Sequence, residues 1–148
     1  MSTEEENKAL VRRFVEEVWG KGDLALEQQV LAPDFVDHNS WYPTDSGPTG
    51  HRLAVEMYRR AIPDLSVKVD LLLADGDFVT DRWVATGTQT GELMGVPPSN
   101  KSFTVTGIDI WRIENGKLKE LWHQEDMMGF MRQIGAIPAR GQEQRRAA

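Results

Sequence analysis

"YRRAIPDLSVKVDLLLADGDFVTDRWVATG", residues 58–87, is the stretch in which the sequence changes its period. Up to Ala61 the apolar residues recur every three or four positions. In "HRLAVEMYRRAI" Leu53, Met57, Tyr58 and Ala61 share one helical face. Pro63 stops that helix, and beyond it apolar and polar residues alternate as they do along a half-buried strand. "ADGD" then marks a tight hairpin, because Gly supplies positive φ at little cost.

Working outward, "SVKVDLLLA", "FVTDRWVATGTQT", "FTVTGIDIWRI" and "LKELWHQ" read as four strands, the last two joined by a second hairpin turn, "ENGK". On the N-terminal side, Thr3 and Glu6 have capping-box spacing, and Leu10, Val11, Phe14, Val18 and Trp19 follow at helical intervals. Asp23 can cap a second helix carrying Leu24, Leu26, Val30 and Leu31, with Pro33 ending it. "DFVDHN" reads as a brief extended segment, and "SWYPTDSGPTG" as a loop holding two aromatic residues. On the C-terminal side "DMMGFMRQI" is a short helix with Asp126 at its N-cap and Gly135 at its C-cap. Three helices followed by a meander define an α+β class: a curved antiparallel sheet shaped like a cone, packed against three N-terminal helices, with a short C-terminal helix. Residues 1–137 are expected to form one domain and 138–148 a disordered tail. A cone of this kind opens where its loops gather, and a ligand pocket is expected there.

Composition narrows the function. The 148 residues carry a net charge of −6 and no basic stripe, which argues against a phosphate-backbone partner. No apolar run reaches the ~18 residues of a membrane span. The polar, acidic start "MSTEEENKAL" is unlike a signal peptide, and there are no cysteines, so the cytoplasm is the expected location. His38, His51 and His123 lie far apart without metal-ligand spacing, so no metal is expected. A hydrophobic small molecule suits this balance as substrate or ligand.

The segments "APDFVDH", "TGELMGVPPS" and "TGIDIWRIENGKL", in that order, resemble the SnoaL-like polyketide cyclases (ester cyclases) of the nuclear transport factor two-like superfamily. The likeness runs over about residues 7–137. It implies a cone-shaped α+β fold, homodimers or higher oligomers through the outer sheet face, and ring closure by an intramolecular aldol reaction without a cofactor. It also places the acid/base Asp on Asp126, the His of "DFVDH" on His38, and polar cavity residues near Asp109 and Trp111.

The residues themselves set the terms for those roles. Aldol closure needs a base for a proton next to a carbonyl and an acid for the new alkoxide, and one carboxyl lifted toward neutral pKa can serve as both. Asp126 has Trp122, Met127, Met128 and Phe130 beside it, although a plain helix cap is the competing reading. His38 stands to orient a substrate oxygen. Trp122 and Gln124 alternate with His123: with the first two facing the cavity His123 points outward, which is the preferred register, and in the opposite register His123 joins the site. Asp109 and Trp111 share a strand face opposite Ile108 and Ile110, either on the pocket side or on the outer side. Trp83 and Tyr58 complete the expected aromatic walls, and Trp41 and Tyr42 are candidates for a lid over the ligand, since their loop has no core to explain them. Two rival functions share these residues. One is a non-catalytic small-molecule binding protein; the other is a hydrolase, dehydratase or isomerase that pairs Asp126 with Asp109.

Overall fold

The computed structural model describes residues 3–40 and 45–138. Trp41, Tyr42 and almost all of the expected 138–148 tail lie outside the described residues. Helix α1 (Glu4–Arg13) begins with the capping box: Glu6 N–H donates to Thr3 Oγ1 at 3.1 Å, and Thr3 N–H to Glu6 Oε2 at 3.0 Å. It runs on into a π-helical segment, Phe14–Trp19. Of the anticipated face Val11, Phe14 and Val18 are buried, joined by Val15, while Leu10 and Trp19 are half-buried. Asp23 caps α2 (Leu24–Val30), accepting from Leu26 N–H at 3.0 Å.

The chain then departs from expectation. Helix α2 stops at Val30, and strand β1 (Leu31–Asp37) takes up Pro33 and the first four residues of "DFVDHN", with His38 and Asn39 in the turn that follows. β1 pairs in parallel with β5 (Lys117–Glu125) and forms one edge of the sheet, where the missing N–H of Pro33 is tolerated. The sheet is therefore five-stranded and mixed rather than wholly antiparallel, in the order β1-β5-β4-β3-β2. Strands β2 (Ser66–Asp75), β3 (Phe78–Thr88) and β4 (Ser102–Glu114) form the expected meander with β5. Bulges at Val69/Leu71 in β2 and opposite Arg112/Ile113 between β4 and β5 bend the sheet.

Helix α3 (Pro48–Ala61) crosses the concave face. Its buried residues are Gly50, His51, Ala54, Val55 and Ala61, while Leu53 is 42% exposed, so the packed face is rotated from the Leu53–Met57 stripe anticipated above. Phe14, Phe35, Val55, Trp111 and Leu118 join in one core between helices and sheet. The short α4 (Met127–Gln133) closes the end of the sheet, with Phe130 edge-on to Phe103 at 4.8 Å. No helix among the described residues is long and apolar enough to cross a membrane.

Candidate active site

Between α3 and the concave face lies a cavity of about 140 Å³. Its walls are apolar: Val67, Ala85, Val105 and Leu121 from the sheet, and Val15 and Ala54 from the helices. The expected aromatic residues Trp83, Trp111 and Tyr58 line it. Polar groups enter mainly from the sheet, along one row.

That row follows from strand register. Asp81 of β3 sits opposite Asp109 of β4, and Asp109 sits opposite His123 of β5. Alternation puts all three on the concave face. Asp109 and His123 line the cavity, and Asp81 is fully buried behind them. Trp111 Nε1–H donates to Asp81 Oδ2 at 2.8 Å. Asp81 Oδ1 is buried with no hydrogen-bond partner among the described residues. Burial raises the Asp109 carboxyl well above its usual range, and the neighbouring Asp81 raises it further, while His123 and Trp83 pull the other way. Burial likewise lifts Asp81 to about 6, opposed by its bonds to Trp111 and Asp109. The hydrogen bond between the two carboxyls raises Asp109 and lowers Asp81, the pattern of an Asp109 that donates to Asp81 when protonated.

His123 is the fixed cation beside this pair. Its Nδ1–H donates to Glu125 at 2.9 Å and its Nε2–H to Asp37 at 3.0 Å. Burial disfavours the imidazolium, but the hydrogen bonds to Asp37 and Glu125, and then their charges, outweigh burial and push His123 up to about 10.

Several anticipated residues fall elsewhere. Trp122 and Gln124 do not line the cavity; they lie on the outer face, because the bulge leaves Lys119 as an extra residue and reverses the alternation of β5 from there on. His38 is exposed on that same side, stacked on Trp122 at 4.6 Å and bonded to Glu120 at 3.0 Å. Asp126 is exposed and caps α4 by accepting from Gly129 N–H at 2.9 Å. Its geometry is that of the helix cap. The expected pair of Asp126 with Asp109 is not formed at the cavity; Asp81 with Asp109 is.

Asp81, Asp37, Glu125 and Glu27 went unassigned from sequence. Alternation held a signal for Asp81, since Val79, Asp81, Trp83 and Ala85 must share one strand face. It held one for Asp37 as well, which follows the buried Phe35 by two. Glu27 and His51, 3% and 5% exposed, form a buried pair at 2.7 Å between α2 and α3, and the His51 ring lines the cavity.

Comparison with known proteins bears on this arrangement. Residues 9–134 match the family described as SnoaL-like polyketide cyclase. The aklanonic acid methyl ester cyclase DauD of Streptomyces sp. (strain C5) is 29% identical over 131 residues, covering 85% of this chain and 80% of that protein. The nogalonic acid methyl ester cyclase of Streptomyces nogalater is 32% identical over 114 residues, covering 76% and 82%. The solved structure of TsrD from Streptomyces laurentii has a TM-score of 0.83 at 29% identity, covering 93% of this chain and all of that one.

Proposed function

Because this chain belongs to the SnoaL-like polyketide cyclase family, we propose that it closes a ring in a hydrophobic carbonyl compound, with the Asp109–Asp81 pair as its acid and base. The observation that carries this reading is the row Asp81, Asp109 and His123 across the wall of an apolar cavity. In the resting pair Asp109 holds the shared proton. When that proton passes to Asp81, the freed Asp109 oxygen accepts a proton from carbon next to the substrate carbonyl. The resulting enolate carbon attacks a second carbonyl, the new carbon–carbon bond forms, and the alkoxide takes its proton from Asp109. The His123 cation, held by Asp37 and Glu125, lowers the energy of the negative charge that develops beside it. No step of this cycle calls for a cofactor.

Relatives named for methyl-ester polyketides supply the substrates to try first. A cavity of about 140 Å³ holds about one ring, so a multi-ring substrate would place its reacting ring inside and the rest toward the mouth. Asp109→Asn should lower turnover of an accepted polyketide ester by about 100- to 10,000-fold while binding persists. Full turnover in that variant would overturn the assignment, and binding without turnover in the parent protein would favour a binding protein. The proposal includes a cytoplasmic homodimer formed through the outer sheet face, on which five large apolar side chains stand exposed.

A further inference from the structure

We propose that Glu27 and His51 form a second polar anchor of the cavity, in which His51 Nε2 accepts a hydrogen bond from a hydroxyl of the ligand, an enol or a phenol. His51 of α3 and Asp109 of β4 both line the cavity, and Glu27, on α2, is bonded to His51. Glu27 and His51 side chains are 4% and 2% exposed, and Nδ1 is 2.7 Å from Glu27 Oε2. In the neutral ring that contact fixes the tautomer: Nδ1–H donates to the carboxylate and Nε2 is left with a lone pair. Nε2 is buried and has no hydrogen-bond partner among the described residues.

Buried polar atoms are satisfied in the great majority of cases, and an exception asks for an explanation. The neighbours of the His51 ring do not provide one. Phe14, Trp19 and Phe35 surround it with centroids at 5.4, 5.3 and 5.8 Å, two of them edge-on. A carboxylate-backed imidazole in an aromatic collar is held rigidly, and its one open valence faces a need for a donor. A purely structural tie between α2 and α3 would need Nδ1 alone. The groups on the sheet wall handle the carbonyl end of a ligand, so a hydroxyl at the other end would fix which carbon meets Asp109. This inference rests on the cyclase reading for calling that ligand a substrate, but the binding itself is testable without turnover.

The probes are 4-methylphenol and its methyl ether, 4-methylanisole, each of a size for the enclosed space. Calorimetric titration of the full chain should show the phenol binding about tenfold more tightly, the worth of one hydrogen bond. The ¹⁵N resonance of His51 Nε2 should move with the phenol and stay in place with the ether. His51→Phe should abolish the preference. Equal affinity for the two probes, or a His51 resonance that stays unmoved to the solubility limit of the phenol, overturns the proposal, and the resonance decides it even if the His51 variant misfolds. Loss of the phenol preference alongside normal polyketide turnover would overturn this inference alone. An intact preference with no turnover would count against the cyclase reading alone.

Discussion

Asp109 and His123 answer to pH in separate windows. In the unfolded chain an Asp titrates near ~3.9. In the fold Asp81 titrates at about 6, and burial holds Asp109 well above the usual carboxylate range. A raised carboxyl contributes stability that is complete below the unfolded value and is lost as pH rises through the folded one. Near neutral pH the pair therefore works against the fold. Asp109→Asn keeps the neutral side chain that burial favours and supplies an amide donor for Asp81, without the cost of protonating a carboxyl that is ionised in the unfolded chain, so we expect it to melt no lower than the parent, with a gain of about 1–3 kcal/mol by urea titration. The same protein should be inactive. Turnover by the parent should fall as pH drops through about 6, where the second proton occupies the pair and removes the base. Asp81→Asn should erase that acidic limb. For His123 the raised value of about 10 means stability that is complete below the unfolded ~6.5 and lost as pH climbs through 10. His123→Gln leaves Asp37 and Glu125 close together without their cation. It should cost about 3 kcal/mol near neutral pH, by urea melts of both proteins, and the gap should close above pH ~10.

At the level of elements, periodicity revealed most of the architecture, and one inserted residue concealed part of the site. Helix caps at Thr3, Asp23 and Asp126 and the turns at Gly76 and Gly116 were readable because each depends on local chemistry. The face of β5 was not. Leu118 and Leu121 are both buried although three apart, since Lys119 bulges between them. Counting by twos from Leu118 turns Glu120, Trp122 and Gln124 inward, and only the pairing with β4 shows that Leu121, His123 and Glu125 take that side. A parallel edge strand was equally hidden, because pairing across more than eighty residues leaves no local trace. Two element-scale tests follow from the same geometry. A Cβ on Gly107 would lie 2.1 Å from Cζ2 of its cross-strand neighbour Trp83, so this glycine is the notch that seats the indole. Gly107→Ala should cost about 1–3 kcal/mol, and a double-mutant cycle with Trp83→Ala should show strong coupling. Gln89 is fully buried and ties down the "TGELMGVPPS" loop: its Nε2 reaches the carbonyls of Gly91, Val96 and Pro97, and its Oε1 accepts from Ser99 N–H. Gln89→Leu should destabilise by about 1–3 kcal/mol and speed proteolysis within residues 90–100.

For the whole molecule, the two faces of the sheet divide the work. The concave face holds the cavity and its acids. The convex face carries two cross-strand rows, Leu71–Arg82–Ile108 and Leu73–Thr80–Ile110, with Phe78 alongside. Leu73 is 59% exposed, Ile108 51% and Leu71 50%, apolar side chains standing on either side of Arg82 and Thr80 on one face, as exposed apolar groups do at an interface. A second copy laid against it would bury apolar side chains that the chain's own helices, committed to the other face, leave in water. A stable dimer needs on the order of 800 Å² from each partner, which a face three strands wide can supply. We expect the protein to run as a dimer in light-scattering chromatography, and Leu73→Lys with Ile108→Lys to make it a monomer. A parent protein that is monomeric at micromolar concentration would end this reading. Because strand alternation separates the two faces, the monomeric variant should keep the phenol preference of the cavity, and loss of both together would mean that the interface also sets the curvature on which the site depends.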